Sequence, residues 1–154
     1  MDPQLVKISI VTPSYNQSPY LEKTIQSVLN QNYPNLEYII MDGGSTDGSV
    51  DIIKKYSKFI TYWESNPDKG QADAIYRGFE RASGDIIAWI NSDDFYLDGA
   101  LKAVGNYFSK YPSIEWLAGN GIIVDEDSHE LLKCYTTKIS FDHLYYSEIG
   151  RAHV

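Results

Sequence analysis

Two kinds of apolar segment alternate along this chain, and the alternation restricts the fold more than any other feature. Short runs rich in β-branched residues, such as residues 8–11, predict strands. Leu21, Ile25 and Val28 instead recur at the spacing of one helix face, which Leu29 extends. A strand–helix–strand succession favours right-handed βαβ units. We therefore predict an α/β fold with a mainly parallel sheet and helices on both faces.

The other predicted elements follow the same order. Further strands are predicted at residues 36–41, 59–63 and 86–90, and shorter ones at 115–117, 121–124 and 131–135. Helices are predicted at residues 49–56, from Gly70 to about Gly84, and around Leu101, Val104, Phe108 and Tyr111. Pro13 is predicted to stop the first strand. The unbroken apolar run at 86–90 is typical of a strand buried on both faces, with Trp89 in the core.

Length and composition indicate one globular domain. The 154 residues allow one hydrophobic core but not comfortably two. The net charge of −8 argues against a nucleic-acid surface. A single cysteine, Cys134, rules out an internal disulfide. No secretory signal or membrane span is visible, so we expect a cytoplasmic protein, with membrane association only through sequence beyond these residues.

Ligands of such sheets bind beyond the carboxyl ends of the strands. Three polar, glycine-rich or acidic segments directly follow predicted strands, at residues 12–16, 42–48 and 91–94. The sequence therefore predicts a binding site where these three segments meet.

The segment at 91–94 contains two adjacent carboxylates, Asp93 and Asp94. Neighbouring negative charges at a strand end need compensation by a cation, a helix N-terminus or solvent. Mg²⁺ and Mn²⁺ commonly take one or two carboxylates and complete their shell with water and phosphate oxygens. The simpler interpretation is that both residues only begin the turn into the next helix.

Two other segments allow a structural and a functional interpretation. The segment 42–48 is either a capped turn or a loop that approaches a ligand closely; it is neither a dinucleotide fingerprint nor a P-loop. In the segment 68–74, Lys69 and free amides at a helix start can face a diphosphate, beside Gln71 and Asp73. An ordinary helix start capped by Asp68 is the alternative.

Four motifs in order make the chain resemble the family 2 glycosyltransferases, which have the GT-A fold. They are IVTPSYN at 10–16 followed by SVLNQ at 27–31, MDGGSTDG at 41–48, DKGQ at 68–71 followed by ASGD at 82–85, and WINSDD at 89–94. The match runs from about residue 7 to about residue 105.

The resemblance implies a role for each matching residue. The nucleoside pocket would be formed by Pro13, Tyr15, Asp42 and Asp93, with Asp93 on the ribose side. The diphosphate and donor sugar would be bordered by Lys69, Gln71 and Asp73. Asp94 would hold Mn²⁺ or Mg²⁺ that bridges the diphosphate.

Three positions depart from the family pattern. Many members carry Asp-Asp where this chain has Asp42-Gly43, and the second Asp often contacts the base, so Gly43 weakens the expectation of uracil. Tyr76 stands where Asn is frequent. Asn91 replaces a frequent Asp and leaves two carboxylates for a divalent ion.

The resemblance implies metal-dependent, inverting transfer from a nucleotide-sugar donor, with UDP-sugars slightly favoured, to a glycan or lipid-linked acceptor. A non-catalytic nucleotide-sugar-binding module is the alternative. A nucleotidyltransferase would need a basic loop after the first strand, and residues 12–20 contain no Arg or Lys.

We expect residues 1–148 to be the N-terminal part of the GT-A domain, with the catalytic base further along the chain. Residues 149–154 are expected to be a non-native tail, because they can be encoded by the start of a common sequencing adapter.

Overall fold

The computed structural model of the chain describes residues 5–125 and 129–135. The chain divides into two compact units, Met1–Ser113 and Ile114–Val154. The expected domain end at residue 148 and the expected tail at 149–154 lie outside the described residues.

The first unit is an α/β layer structure. Its strands are β1 (Ile8–Ser14), β2 (Leu36–Asp42), β3 (Tyr62–Ser65) and β4 (Ile86–Trp89). Its helices are α1 (Ser18–Leu29), α2 (Ser49–Tyr56), α3 (Gln71–Arg81) and α4 (Ala100–Lys110). The strands are all parallel and lie in the order β3-β2-β1-β4. The predicted α/β class and parallel sheet are confirmed.

Each face of the sheet has its own apolar core, because successive strand side chains point to opposite sides. On one face Ile10 and Ile40 belong to a large cluster with Ile25 of α1, Ile53 of α2 and Leu101 of α4. The smaller cluster on the other face lies against α3 and consists of Val11, Ile39, Met41 and Ala74. Helices therefore cover both faces, as predicted.

Helix α3 approaches β1 closely at a glycine. A Cβ at Gly78 would overlap the Val11 side chain, and Gly78 itself is buried. The predicted helix face of Ile75, Phe79 and Ala82 is thus only part of the contact. Small residues set the depth at which α3 sits.

The prediction that Pro13 ends the first strand is wrong, since β1 continues to Ser14. The amide of Ile8 donates to Asn35 on the β2 side, whereas Val11 accepts from Ile90 on the β4 side. Because the backbone groups of successive residues in β1 point alternately to β2 and to β4, those of position 13 point to the β4 side. Position 13 lies beyond the last residue of β4. Pro13 therefore lacks an N–H only where no strand would accept one.

The prediction that β4 is buried on both faces is also wrong. Ile87 and Trp89 are each 44% exposed, so Trp89 is not a core residue. Within residues 5–125 and 129–135, β4 lies at the edge of the sheet, and α3 packs over β1 and β2 instead. On that face of β4, Trp89 makes a tilted contact with Phe79 of α3.

Some element bounds also differ from prediction. Phe59 is 68% exposed and lies in the turn after α2, so β3 begins later than predicted. Residues 115–117 form no strand. The second unit contains an antiparallel pair, β5 (Gly121–Val124) with β6 (Glu130–Cys134), which confirms two of the shorter strands. Among the described residues no helix is long and apolar enough to cross a membrane.

Candidate functional site

Three loops leave the same end of the sheet, where the sequence predicted the site. Ser14 and Asp42 are register partners at the ends of β1 and β2. The amide of Gly43 donates to the Ser14 carbonyl at 2.8 Å, which continues the pairing by one residue. The loop at 91–94 follows β4, the neighbour of β1 on its other side.

The first two loops are held together by side chain–backbone hydrogen bonds. The Asn16 amide donates to Ser45 Oγ at 2.8 Å, and Asn16 Oδ1 accepts from the Thr46 amide at 2.9 Å. The Ser18 amide donates to Asp47 Oδ2 at 2.8 Å. Asn16 has a φ of 52°, a conformation that Asn tolerates better than most residues. The geometry of these loops is therefore set before any ligand binds.

Asp42, a predicted nucleoside residue, organises its own turn. Its side chain is buried and accepts four hydrogen bonds, from the Gly44 amide, the Ser45 amide and hydroxyl, and the Ser65 hydroxyl. The carboxylate therefore fixes the loop that follows β2. Both the capped-turn interpretation and a position at the pocket fit this geometry.

The end of β1 provides an exposed ring and a buried hydroxyl. Tyr15 is 61% exposed, whereas Pro13 is buried. Ser14 Oγ is buried and has no hydrogen-bond partner among the described residues. A buried hydroxyl without a partner is uncommon in proteins.

The loop between β3 and α3 reaches the end of β2. The Asn66 amide donates to the Asp42 carbonyl at 2.9 Å. Asp68 Oδ1 accepts from the Gly70 amide at 2.8 Å, within the turn before α3. The prediction that Asp68 caps the helix is wrong, because Gly70 is the N-cap residue and, in the part of the chain that the structure describes, no side chain bonds to the free amides there. Asp68 also lies next to Gly43, where a Cβ would come 2.9 Å from Asp68 Oδ2.

Hydrogen bonds between side-chain amides join α3 to the loop at residues 91–94, which we call the acidic loop. Gln71 Nε2 donates to Asn91 Oδ1 at 2.7 Å, and Asn91 Nδ2 donates to Asp94 Oδ2 at 3.1 Å. The predicted diphosphate residue Gln71 and the predicted metal residue Asp94 are thus connected through Asn91. Asn91 is the residue that the sequence suggested only as a departure from a frequent Asp.

Asp94 carries a negative charge that its surroundings disfavour. Although the side chain is exposed, desolvation and the neighbouring charge of Asp93 raise the pKa of Asp94, and the Asn91 hydrogen bond only partly offsets this. A cation beside these two carboxylates would remove the repulsion.

The donor set fits a divalent ion that is shared with a ligand. The described residues contain no group of three or more His, Cys, Asp or Glu side chains able to hold a metal. Asp93 and Asp94 can therefore supply at most two adjacent carboxylates to a cation. One or two carboxylates with water and phosphate oxygens make a usual Mg²⁺ shell.

Helix α1 holds the acidic loop in place through the side chain of Thr24. Thr24 is buried, and its hydroxyl lies 2.9 Å from the Ser92 carbonyl and 2.7 Å from the Asp94 carbonyl. Sequence reasoning missed Thr24. Its signal was a hydroxyl residue between Leu21 and Ile25 on the apolar face of the predicted helix.

Lys69 and Asp73 lie together at the start of α3. Asp73 Oδ2 accepts the Lys69 amide at 3.3 Å and lies 3.9 Å from Arg77 Nη1. Asp73 therefore stabilises the first turn of α3. The Lys69 residue is exposed.

Comparison with known proteins decides the family. A sequence model described as Glycosyl transferase family 2 matches residues 9–148. The chain belongs to this family. The four motifs that suggested the resemblance all fall within the matched range.

Two relatives of this chain are glycosyltransferases from bacteria. A putative teichuronic acid biosynthesis glycosyltransferase, TuaG of Bacillus subtilis, is 44% identical over 100 residues, covering 62% of this chain and 39% of TuaG. An uncharacterized glycosyltransferase of Haemophilus influenzae is 35% identical over 140 residues, covering 89% and 55%. The chain thus spans 39–55% of the length of these relatives.

Solved structures share the fold. TarS of S. aureus (residues 1–349, in complex with UDP) matches with a TM-score of 0.62 and 22% identity over 69% of this chain and 33% of TarS. The mannosyltransferase PcManGT of Pyrobaculum calidifontis, in complex with GDP-Man and Mn²⁺, matches with a TM-score of 0.62 and 21% identity. The match covers 80% of this chain and 37% of PcManGT. These similarities confirm the GT-A fold.

Proposed function

We propose that this family 2 glycosyltransferase transfers a sugar from a nucleoside diphosphate sugar to a glycan or lipid-linked acceptor, with Mn²⁺ or Mg²⁺ bound at Asp94. The observation that carries the proposal is the Gln71–Asn91–Asp94 chain of hydrogen bonds. It joins the start of α3 to the acidic loop at the same sheet end as the loops after β1 and β2.

The donor would lie across this end of the sheet. Tyr15 and the Pro13 backbone border the nucleoside, beside the turn fixed by Asp42. Asp93 faces the ribose, and Lys69, Gln71 and Asp73 border the diphosphate and the sugar. Lys69 would contribute the positive charge and α3 its first amides, which are both favourable for phosphate.

In the transfer step an acceptor hydroxyl oxygen bonds to the anomeric carbon while the bond from that carbon to the phosphate oxygen breaks. The acceptor proton passes to a carboxylate base. A divalent ion, when bound, neutralises charge on the leaving nucleoside diphosphate. The name of the TuaG relative supports polysaccharide synthesis as the setting.

Metal dependence tests the proposal directly. We expect UDP or GDP to bind in calorimetry with Mn²⁺ or Mg²⁺ and to lose at least about tenfold in affinity with EDTA, because two carboxylates repel a bare diphosphate. Asp94→Asn should reduce the metal-dependent part more than Asp93→Asn does. Asp51→Asn, an exposed change on α2, is the matched control. Equal affinity with and without metal would contradict the metal-bridged arrangement.

A measurement of sugar transfer distinguishes the enzyme from the alternative, a non-catalytic nucleotide-sugar-binding module. We expect residues 1–154 to bind the donor without transferring sugar, with the base further along the whole protein. Five acidic residues of the later chain that have no local context of a base are Asp125, Glu126, Asp127, Asp142 and Glu148. A longer chain that transfers sugar supports the enzyme, and one that binds donor but never transfers supports the module. Efficient transfer by residues 1–154 alone would contradict a base elsewhere.

A further inference from the structure

The Asp68 carboxylate occupies the space that a side chain at position 43 would take. A Cβ on Gly43 would lie 2.9 Å from Asp68 Oδ2, closer than real Cβ contacts, and 3.2 Å from Asp68 Cγ. Gly43 is not among the glycines with positive φ, so its backbone conformation suits any residue. A side chain at position 43 would therefore displace the Asp68 carboxylate, and glycine leaves room for it.

The loop of Asp68 is tied to the end of β2 by one hydrogen bond and is held within itself by another. The Asn66 amide holds the Asp42 carbonyl, and Asp68 Oδ1 is used by the Gly70 amide. The oxygen nearest to Gly43 is Oδ2. Gly43 in turn is bonded to Ser14, directly after Pro13. Asp68 thus brings a carboxylate oxygen to the place where the ends of β1 and β2 meet.

The carboxylate of Asp42 is less available than that of Asp68 to accept a hydrogen bond from a ligand. Its carboxylate already accepts four hydrogen bonds from Gly44, Ser45 and Ser65 and is buried. A ligand that needs an acceptor here would have to compete with those bonds. Asp68 is only half-buried and has Oδ2 on the Gly43 side.

We propose that Asp68 recognises the nucleobase of the donor through Oδ2, over the bare backbone of Gly43. The inference rests on the proposed function, because it assumes that the nucleoside lies at the ends of β1 and β2. An ionised carboxylate only accepts hydrogen bonds. It therefore favours bases with a ring N–H, which are uracil at N3 and guanine at N1. Cytosine and adenine present an unprotonated ring nitrogen at that edge and are repelled.

Nucleotide selectivity is the measurement. Affinities of the 154-residue chain for UDP, GDP, CDP and ADP are determined by calorimetry with Mn²⁺. We expect UDP or GDP to bind at least about tenfold more tightly than CDP and ADP, since a site built for an N–H donor discriminates against its absence. In Asp68→Asn the amide can also donate, so this ratio should fall toward one.

Gly43→Ala tests the same contact from the other side. The added Cβ would displace the Asp68 carboxylate, so the preference for UDP or GDP over CDP and ADP should fall. Asp68→Ala should reduce this preference to the same extent. The double variant should be no worse than Asp68→Ala alone, because both changes remove one interaction. Asp51→Asn should keep the wild-type ratio. Unfolding curves confirm that every variant is folded before binding is compared.

The outcomes separate the inference from the proposed function. A wild-type chain that prefers CDP or ADP overturns the inference, as does an unchanged ratio in folded Asp68→Asn and Gly43→Ala. In both cases nucleotide binding itself still stands. A chain that binds no nucleoside diphosphate under any metal condition overturns the proposed function, and the inference with it.

Discussion

At the scale of single residues, the side chains at the candidate site fall into two groups. Asp42, Asn16 and Thr24 have their polar atoms bonded within the protein and fix the loops. Tyr15 and Asp93 are exposed at the same sheet end. Substitutions in the first group should lower the free energy of unfolding. Substitutions in the second group should leave it nearly unchanged and alter ligand binding instead. Substitutions in the two groups should therefore give different signatures.

Asp42→Ala should lower both stability and nucleotide affinity. Removal of the carboxylate leaves the Ser45 and Ser65 hydroxyls and two amides without their acceptor. Buried donors that lose a charged acceptor cost about 1–3 kcal/mol in the free energy of unfolding. Urea unfolding of Asp42→Ala against Asp51→Ala measures the difference. An unchanged midpoint with weaker UDP binding would instead mean that Asp42 acts on the ligand only.

Sequence could predict the charged residues of the site because their chemistry is visible in their type. Two adjacent aspartates after an apolar run need a cation, a helix N-terminus or solvent to compensate their charge, whichever fold they belong to. Thr24 and Asp68 escaped because their roles depend on neighbours distant in sequence. Thr24 acts on carbonyls 68 and 70 positions later, and Asp68 acts on Gly43.

At the scale of elements, α3 connects the core to the site. Its buried residues Ala74 and Gly78 face β1 and β2, and its first residue, Gln71, reaches Asn91. A shift of this helix would thus carry Gln71 away from the acidic loop. The depth of packing and the ligand contacts are coupled through one rigid element.

Gly78→Ala should lower the free energy of unfolding by about 1 kcal/mol. Alanine gains about 1 kcal/mol of helix propensity, but overpacking typically costs more. The added Cβ would overlap Val11. Chemical unfolding checks stability, and calorimetry should show weaker UDP binding. The pair Val11→Ala with Gly78→Ala makes room and should lose less than the sum of the two single changes. A stabilised Gly78→Ala would contradict this close contact.

The helices and inner strands could be predicted because their patterns reflect local burial. The predicted bounds of α2, Ser49–Tyr56, agree with the structure. β4 could not be read correctly, because an apolar run does not show whether the strand lies inside the sheet or at its edge. That distinction depends on strand order, which places β1 and not β4 beneath α3.

At the scale of the first unit, the two ends of the sheet have different tasks. The site lies at the carboxyl ends of the strands. Near the start of β1 and β2, Glu37 joins Lys7, Ser9 and Ser83. Glu37 is buried and links the segment before β1 to the segment before β4. This cluster stabilises the fold at the end away from the ligand.

Stability should fall in acid through Glu37. Burial by itself raises the pKa of Glu37, but hydrogen bonds from Lys7, Ser9 and Ser83 outweigh it and bring the pKa to about 2. The contribution is complete above the ordinary value of 4.5 and is lost as pH falls toward 2. It amounts to about 2–3 kcal/mol.

Unfolding free energies between pH 6 and pH 2 measure this dependence. Glu37→Gln should be less stable than wild type at pH 6 and should approach it at pH 2. Asp51→Asn serves as the exposed control. A Glu37→Gln profile parallel to that of the wild type would show that another carboxylate dominates the acid response.

Helix α1 also has a consequence for motion. Thr24 holds the loop after β4, and the Ser18 amide is bonded to the loop after β2. The loop after β1 runs directly into α1, so all three loops are fastened to one helix. We expect them to move as one body while a donor arrives and leaves. The loop before α3 is fastened at Asp42 and within itself, so opening and closing over the donor would fall to that loop.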